Sequence, residues 1–331
     1  MNGENKSKVS KIVIISVIAV AVLVALLVFI AIFDKNLGLF PEQNQEEKIL
    51  EYEGEEYVLK DGIETFLVIG LDKNSENITS DSYNNNQQAD FMMLMVFDNN
   101  TKKYSTIHIN RDTMAEVEIL GVEGNKVGTV NTQIALAHTY GKGGSISSLN
   151  TTKAVSNLLY DVKVNHYMTL TLDSVSVMSD LVGGVTLEVL DDFTGIEGGE
   201  NLIKGETVTL TPEEALLYVQ GRSGLEDSTN LDRMERQKQF LDSMRVELEE
   251  RIQTDNEFLA DAVIKMSKHM DSDCSTARLQ EVGERMKSYE FVEVKDIVGE
   301  TKISSENKLE FYPDEKALKK LVIDLFYVIK K

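Results

Sequence analysis

The longest apolar segment of the chain is residues 12–33, which contain no charged side chain. As a helix rising about 1.5 Å per residue, this segment spans roughly 33 Å, the thickness of a bilayer core. Three lysines precede it, so the positive-inside rule places residues 1–11 in the cytoplasm and the rest of the chain outside the cell. The A-x-A pattern of a cleavage site lies within the segment, at residues 19–21, which favours an uncleaved anchor over a signal peptide.

Beyond the anchor, the pattern changes twice. Residues 34–60 are polar and acidic and predict an extracellular stalk. Continuous apolar runs at 66–69 and 91–97 then predict two strands, and residues 104–109 predict a third. Turn residues at 98–103 separate the second strand from the third, so we expect those two strands to form an antiparallel hairpin.

The remainder of the chain alternates between predicted helices and strands, which indicates an α/β fold with a mixed central sheet flanked by helices, resembling an α-β-α sandwich. We assign this domain to residues 61–331. The predicted elements are helices at 132–140 and 151–160 capped by Asn131 and Asn150, a strand at 166–172, a helix at 173–182 ended by Gly183 and Gly184, a strand at 185–190, a helix from a capping box at Thr211–Glu214 to about Gln220, a long helix from 230, two helices after 256, a β segment near 291–311, and a terminal helix from Asp314.

The long helix has an unusual distribution of charge. At 100° per residue, an apolar stripe forms that should face the protein core. Two arginines and a glutamine share that stripe, and an unpaired buried charge is costly, so the arginines meet either buried carboxylates or an anion in a cleft. The apolar stripe is Phe240, Leu241, Met244 and Leu248, the polar residues that share it are Arg233, Arg236 and Gln237, and the opposite face is Glu235, Lys238, Gln239, Asp242 and Glu249.

The composition of the chain limits the kinds of partner and metal site that the protein can have. The formal net charge is -21, so the overall field of the protein does not favour nucleic acid. Cys274 is the single cysteine, which excludes an intrachain disulfide and a cysteine metal cluster, and we expect it to be a buried structural thiol. The four histidines show no metal-binding spacing, and we expect each to be a structural or surface residue rather than a zinc ligand.

Four charged residues should meet at one edge of the sheet. Asp72 follows the first strand, Asp90 opens the second, and Arg111 and Asp112 follow the third. If the second strand is antiparallel to its neighbours, all four lie at the edge where α/β proteins commonly bind ligands. Each could instead be a local ion-pair or turn residue, but together with the arginines of the long helix they favour a site.

The residue types indicate what this site would bind. Two neighbouring carboxylates, Asp72 and Asp90, repel each other unless a cation lies between them. Oxygen ligands suit Mg²⁺, or Mn²⁺, rather than zinc. A metal ion that faces several arginines binds phosphate or pyrophosphate.

The order of the motifs LVIGLD, ADFMMLMVFD, INRDT, LTPEEALLYVQGR and DRMERQ resembles the LytR-CpsA-Psr family. The most specific parts are R-D-T, the G-G-V after a helix, and R-x-x-R-Q. The resemblance is best over 65–251 and extends through 256–331. It implies a membrane-anchored, exported enzyme of a Gram-positive-type bacterium. Such enzymes transfer a phosphorylated glycopolymer, such as teichoic acid or capsule, from a polyprenyl-pyrophosphate carrier to peptidoglycan or a similar wall acceptor, with magnesium.

The resemblance also implies roles for individual residues. Asp72 and Asp90 match the metal-binding carboxylates, and Arg111 matches the arginine that contacts the phosphates. Arg222, Arg233 and Gln237 match the pyrophosphate clamp, to which the helical phase adds Arg236. Three positions depart from the family pattern: Gln220 replaces a clamp arginine, Asn110 replaces proline, and Lys73-Asn74 replaces a region where arginine is common.

These roles leave three functions open. In the transferase, an acceptor hydroxyl attacks the phosphate while Asp90 or Asp112 accepts its proton, and positioning and charge neutralisation supply the catalysis. In a non-catalytic sensor, the same pocket only binds polyprenyl phosphate, a function favoured by the missing cation at Gln220. In a hydrolase, water replaces the wall acceptor. The resemblance favours the transferase.

Overall fold

The computed structural model describes residues 49–73, 85–121, 123–221, 230–255 and 257–330. The predicted cytoplasmic tail and anchor, most of the stalk, and Arg222 lie outside these ranges. Within them, the structure contains no helix with both the length and the apolar character needed to cross a bilayer. From Glu51 onward the chain forms one compact unit.

The described elements alternate between strands and helices, as the sequence predicts. In chain order they are β1 (Leu50–Tyr52), β2 (Glu55–Leu59), β3 (Ile63–Leu71), β4 (Ala89–Asp98), β5 (Lys103–Ile109), β6 (Met114–Leu120), β7 (Lys126–Gln133), a 3-10 helix (Ile134–Thr139), α1 (Gly144–Leu158), β8 (His166–Leu170), α2 (Ser174–Val182), β9 (Val185–Glu188), β10 (Thr207–Leu210), α3 (Pro212–Gln220), α4 (Asn230–Thr254), α5 (Phe258–Met266), β11 (Met270–Ser272), α6 (Thr276–Ser288), β12 (Glu290–Asp296), β13 (Gly299–Ile303), β14 (Leu309–Pro313), α7 (Glu315–Phe326) and β15 (Tyr327–Ile329).

The central sheet has six strands in the order β11-β8-β3-β4-β5-β12. Strands β3 and β8 pair in parallel, as do β5 and β12, whereas β4 is antiparallel to both of its neighbours. The sheet is therefore mixed, and the predicted β4–β5 hairpin is confirmed. Because β4 lies between β3 and β5, its first residues are next to the last residues of both neighbours.

Helices cover both faces of this sheet, which confirms the flanked mixed sheet that the sequence predicts. On one face, Ser148 of α1 hydrogen-bonds Thr169 of β8 through their hydroxyl groups at 2.8 Å. The other face carries an apolar cluster that includes Phe66 and Met95 of the sheet and Val282 of α6. Consecutive strand residues point to opposite faces, so the alternation along β8 separates the two layers.

Two local signals act as predicted. Gly183 adopts φ 87° directly after α2, a left-handed conformation that ends the helix at low steric cost. At the start of α3, the Thr211 side chain accepts a hydrogen bond from the Glu214 backbone, and the Glu214 side chain accepts one from the Thr211 backbone. The first signal sets the end of α2 and the second sets the start of α3, and both helices border the cavity described below.

The predicted stalk ends earlier than expected. Strands β1 and β2 lie within residues 34–60, and β2 pairs with the C-terminal strand β15, with Leu59 opposite Tyr327. The acidic sequence EYEGEEY alone suggested a solvated linker. The pairing partner comes from the far end of the chain, so a local pattern could not reveal it.

The predicted caps Asn131 and Asn150 are wrong. Asn131 lies within β7, which forms an unpredicted hairpin with β6, and a 3-10 helix replaces the predicted α-helix. Asn150 is buried inside α1, where its side-chain amide donates to the carbonyl oxygens of Glu118 and Ala137. Its polar side chain is satisfied by tertiary contacts rather than by capping the helix.

Candidate active site

A β-bulge places Asp90. Gly70 pairs with Phe91 and Leu71 pairs with Ala89, so Asp90 is the extra residue on β4. A bulge rotates the side chain of the inserted residue relative to regular alternation. As a result, the consecutive residues Asp90 and Phe91 both line one cavity.

This cavity has a volume of about 270 Å³ and lies between the sheet and the helices α2, α4 and α6. Its walls are predominantly apolar and rich in methionine. The sheet contributes Val68, Met93, Met95, Met168, Leu170 and Phe291. The helices contribute Val175, Met178, Phe240, Leu241, Met244, Leu248 and Met286. The predicted apolar stripe of α4 therefore faces both the core and this cavity.

Polar side chains line the cavity where β3 ends and α4 begins. Asp72, directly after β3, and Asp90 contribute carboxylates, while Arg233 and Gln237 come from the first turns of α4. Gln220, at the end of α3, contributes a neutral amide to the same lining. The cavity thus combines an apolar body with a charged end.

Asp90 is held between two guanidinium groups. One carboxylate oxygen accepts a hydrogen bond from Arg111, which also donates to the Gln88 side chain. The other carboxylate oxygen lies 3.8 Å from the Arg233 Nη1 atom. The side chains of Asp90 and Arg233 are 11% and 3% exposed, so this ion pair is largely shielded from water. The structure therefore brings Arg111, Asp90 and Arg233 together, as the sheet-edge argument predicts.

Asp112 lies behind this group rather than in the cavity lining. Its carboxylate is 3.6 Å from Arg111 Nε and accepts a hydrogen bond from Gln133 Nε2 at 3.0 Å. Asp112 is buried, and its backbone nitrogen donates to the Asn110 side chain. This arrangement fits a residue that orients Arg111.

Arg236 does not join the predicted clamp. Its side chain is fully buried and donates to Asp191 and to the carbonyl oxygens of Tyr218 and Gly221. Of the two alternatives for a core-facing arginine, Arg236 pairs with a carboxylate, that of the partly exposed Asp191. It joins α4 to the end of α3 and does not line the cavity, so the placement of Arg236 in the pyrophosphate clamp is corrected.

Gln237 remains at the cavity. Its Nε2 atom donates to the Val219 carbonyl oxygen at 3.2 Å, which fixes the orientation of the amide. Within the described part of the chain, no donor reaches the buried Oε1 atom of Gln237. A buried acceptor beside a cavity is available to a hydroxyl group of a ligand.

The predicted wet face of α4 is also partly wrong. Asp242 and Arg245 line the cavity, and Arg245 stacks over Phe291 with its guanidinium carbon 4.0 Å from the ring centroid. Glu249 accepts a hydrogen bond from the Tyr104 hydroxyl at 3.0 Å. Burial raises the pKa of Asp242 although Arg245 and Lys238 oppose the shift. Helical phase identifies one buried face, but it cannot show that a second layer covers the other.

The donor chemistry at the charged end fits magnesium. Asp72 is exposed and Asp90 lines the same cavity, so both carboxylates can face one ion. A carboxylate has two oxygens with about four acceptor sites, which allows Asp90 to keep its arginine contacts and still bind a cation. Oxygen-only ligands suit Mg²⁺.

Two transferases are similar in sequence to part of this chain. The TagU protein of Halalkalibacterium halodurans, a polyisoprenyl-teichoic acid–peptidoglycan teichoic acid transferase, is 25% identical over 158 residues, which are 47% of this chain and 46% of TagU. TagU of Bacillus licheniformis is 28% identical over 157 residues, 47% of this chain and 45% of that protein. The matched stretch therefore spans less than half the length of these relatives.

Solved structures share the fold. TagV of B. subtilis aligns with a TM-score of 0.60 and 20% identity, covering 81% of this chain and 97% of TagV. The protein gbs0355 of Streptococcus agalactiae aligns with a TM-score of 0.62 and 17% identity, covering 79% and 87%. A family model described as the LytR_cpsA_psr family matches residues 40–325. This match covers the whole central sheet and the cavity, and the chain belongs to the LytR-CpsA-Psr family.

Proposed function

We propose that this protein transfers a phosphorylated glycopolymer from a polyprenyl-pyrophosphate carrier to a hydroxyl group of peptidoglycan or a similar wall polymer. The observation that carries the proposal is the cavity, which is apolar along its length and charged at one end. A polyprenyl pyrophosphate has the same division. Its hydrocarbon chain would lie against the methionine-rich walls, and its pyrophosphate would meet Arg233 and Gln237 of the lining and reach Arg111 beside Asp90.

The bulge at Asp90 supports this placement of the pyrophosphate. Arg111 comes from the end of β5 and Arg233 from α4, so the two guanidinium groups approach Asp90 from different layers. Arginine binds phosphate oxygens with paired hydrogen bonds, and the low exposure of this pair strengthens that interaction. Arg222, which lies outside the described residues, is assigned to the same clamp from the family resemblance.

Asp72 and Asp90 would hold Mg²⁺. A bound ion would offset the charge that develops on the phosphate oxygens. Manganese would satisfy the same oxygen ligands. Asp112 would keep Arg111 in position through the Nε contact.

In the proposed step, the oxygen of an acceptor sugar hydroxyl attacks the phosphorus that carries the glycopolymer. A new oxygen–phosphorus bond forms, and the bond from that phosphorus to the bridging oxygen breaks. Polyprenyl phosphate leaves with the bridging oxygen and its electron pair, while Arg111 and Arg233 stabilise the charge. Between the two candidate bases, Asp90 lines the cavity and Asp112 does not, so Asp90 is assigned as the acceptor of the hydroxyl proton.

The names of the relatives support this substrate class. Both TagU proteins are called transferases that join polyisoprenyl-linked teichoic acid to peptidoglycan. We infer the same type of donor and acceptor here, and a location at the outer face of the membrane with residues 12–33 as the anchor.

Gln220 favours a second candidate function. A neutral amide stands in the cavity lining where the family usually has an arginine. With one cation fewer, the cavity could bind polyprenyl phosphate without catalysing transfer. Hydrolysis, with water as the acceptor, is the remaining alternative.

Release of polyprenyl phosphate separates these functions. The full-length protein in detergent is incubated with a lipid-pyrophosphate-linked glycan and Mg²⁺, with and without peptidoglycan. Release that requires peptidoglycan supports the transferase. Equal release without it indicates the hydrolase, and lipid binding without any release indicates the sensor.

Asp90→Asn tests the role of the metal in the same assay. Loss of a ligand should lower the rate and remove the response to added Mg²⁺. Asp98→Asn is the matched control, because Asp98 lies at the other end of β4 and accepts hydrogen bonds from the turn that follows. An unchanged Mg²⁺ response in Asp90→Asn would contradict the assigned metal site.

A further inference from the structure

A second group of side chains with metal-ligand chemistry lies at the opposite end of the sheet from the cavity's charged end. Strand β11 pairs antiparallel with β8, with Ser272 opposite Met168. If this register continues by two residues, Cys274 comes opposite His166, the first residue of β8. Phe66, early in β3, pairs with His166, whereas Asp72 follows the end of β3.

Three different ligand types converge there. One ligand atom from each of His166, Asp273 and Cys274 lies within 4.8 Å of the other two. All three side chains are partly exposed, so an ion could reach them from solvent. The expectation that Cys274 is a fully buried structural thiol is therefore wrong.

The backbone holds these ligands in place. Asp273 accepts a hydrogen bond from the Tyr167 backbone nitrogen at 2.9 Å, which extends the strand pairing by one side chain. Ser272 donates to the Tyr167 carbonyl oxygen at 2.6 Å and accepts from the Cys274 backbone nitrogen at 3.1 Å. The ligand-bearing segment is thereby tied to the rigid sheet.

We propose that His166, Asp273 and Cys274 bind a divalent transition-metal ion of the zinc class. Imidazole nitrogen, carboxylate oxygen and thiolate sulfur are the ligands that Zn²⁺ takes in proteins, whereas magnesium prefers oxygen alone. Three protein ligands leave the fourth tetrahedral position to water. On binding, the Cys274 sulfur forms a bond to the metal and its proton is released to solvent.

Glu64 lies beside the second ring nitrogen of His166, at a distance longer than a hydrogen bond. His166 Nδ1 lies 3.2 Å from Asp273, and its other ring nitrogen, Nε2, lies 3.8 Å from a Glu64 oxygen. Metal-binding histidines commonly donate their second ring N–H to a carboxylate, which fixes the ring and raises its basicity. Glu64 is itself held by Arg278 and Arg285.

A thiolate ligand distinguishes a metal site from a simple ion pair. An ion pair between His166 and the neighbouring carboxylates would not involve the Cys274 sulfur. Cobalt(II) is the probe, because it occupies zinc sites and gives a thiolate-to-cobalt charge-transfer band in the near-ultraviolet. Cys274 is the single cysteine of the chain, so such a band reports on this position alone.

The experiment titrates Co²⁺ into the reduced full-length protein and then displaces it with Zn²⁺. We expect a charge-transfer band that saturates at one ion per chain and disappears when Zn²⁺ is added. Cys274→Ser should abolish the band, and His166→Gln and Asp273→Asn should each weaken binding by tenfold or more. Glu64→Gln should weaken it by about 10–100-fold, as expected for a partner of a ligating histidine.

His269→Gln is the matched control. His269 also pairs with a carboxylate, Asp173, at 3.1 Å, but it is not part of the three-ligand group. Its replacement should leave the band and the affinity unchanged. Absence of the band in the native protein, or a band that persists unchanged in both His166→Gln and Asp273→Asn, overturns the proposal.

Thermal unfolding gives a second readout. A hundredfold excess of Zn²⁺ over its Kd should raise the unfolding midpoint of the native protein by about 5 °C. The midpoint of Cys274→Ser should not respond to Zn²⁺. An equal rise in both proteins would show that the ion binds elsewhere and would contradict this site.

Discussion

Asp90 and Glu64 each contact two arginines, yet their surroundings differ. Glu64 binds Arg278 and Arg285, which both come from α6 and both also bind Glu281 on that helix. In this cluster, two carboxylates and two guanidinium groups pair with one another, and His166 Nε2 lies 3.8 Å from Glu64. Asp90 instead binds arginines from β5 and α4, and a cavity opens beside it.

The difference shows that ion pairing alone does not identify a functional site. Both carboxylates are largely shielded, at 11% exposure for Asp90 and 17% for Glu64. The Glu64 cluster satisfies its own charges and joins α6 to the sheet. The apolar cavity lies beside the Asp90 cluster, so a ligand in the cavity can compete with Asp90 for the guanidinium groups. Substitutions in the two clusters should consequently affect different properties.

The largest expected effect is on catalysis. Arg111→Ala removes a preorganised donor from the Asp90 cluster, which should lower the rate of polyprenyl phosphate release by about 10²–10³-fold. The initial rate with peptidoglycan present is the measurement. Lys103→Ala is the control, since Lys103 lies exposed at the other end of β5 and pairs with Glu290. A rate for Arg111→Ala equal to that of Lys103→Ala would remove Arg111 from the site.

Two arginines of α4 allow the same comparison within one helix, because Arg236 pairs away from the cavity and Arg233 lines it. Arg236→Met leaves Asp191 and two carbonyl oxygens without their buried partner, which should lower the free energy of unfolding by about 3 kcal/mol. Arg233→Met should instead lower the transfer rate with a smaller loss of stability. Urea unfolding followed by circular dichroism measures the first effect. If the two variants lose equal stability, the division between a structural and a functional arginine is wrong.

Glu64→Ala tests the Glu64 cluster directly. The variant leaves Arg278 and Arg285 with Glu281 alone, so the free energy of unfolding should fall by about 1.5–3 kcal/mol, the contribution of hydrogen bonds to charged groups. Unfolding is measured with a chelator present, so that metal binding does not contribute. The transfer rate at a temperature where the variant is folded should match that of the native protein. A large loss of rate in the folded variant would show that this cluster also serves the cavity.

The smallest effect concerns a carboxylate inside the cavity. Burial raises the pKa of Asp242 above its unfolded value, against the attraction of Arg245, Lys238 and His108 and with the repulsion of Asp296. Between the unfolded pKa and this raised pKa, the native state binds more protons than the unfolded state. Ionisation of Asp242 therefore destabilises the protein as pH rises.

Asp242→Asn removes this cost. The variant should be more stable than the native protein at pH 7. The difference should shrink as pH falls through the raised pKa of Asp242 and vanish below the unfolded pKa of an aspartate, about 3.9. Urea unfolding across pH measures it. A destabilised variant at pH 7 would show that the ion pair with Arg245 outweighs burial.

Much of the fold is predictable because its signals are local. Apolar runs identify β3 and β4, the turn after β4 indicates the β5 hairpin, Gly183 marks the end of α2, and the Thr211–Glu214 box marks the start of α3. Strand β2 depends on β15, and the Asn150 side chain depends on carbonyl oxygens of other segments, so neither is visible locally. Asn131 fails as a cap because it belongs to the β6–β7 hairpin, which the sequence pattern does not predict. Side chains that can cap a helix can equally bind a distant carbonyl, so residue type alone does not choose between them.

The candidate site was also predictable only in part from the sequence. The order of strands and charged residues was enough to bring Asp72, Asp90, Arg111 and the start of α4 to one end of the sheet. Sequence periodicity also placed Arg233 and Arg236 together on one face of α4. It could not separate them, because their partners, Asp90 and Asp191, come from different elements far along the chain.

The sequence by itself therefore determined strands β3, β4, β5 and β8 of the central sheet, the β4–β5 hairpin, and the charged residues that follow or open these strands. The tertiary structure alone decided that β11 adds an edge strand, that a bulge turns Asp90 toward the cavity, that Arg236 is structural, that Asp242 is half-buried at the cavity, and that His166 meets Cys274. Periodicity and capping act over a few residues, and the chain carries them locally. Strand register and buried charge pairing depend on segments up to 100 or more residues apart, such as Tyr167 and Asp273, which only the folded chain brings into contact.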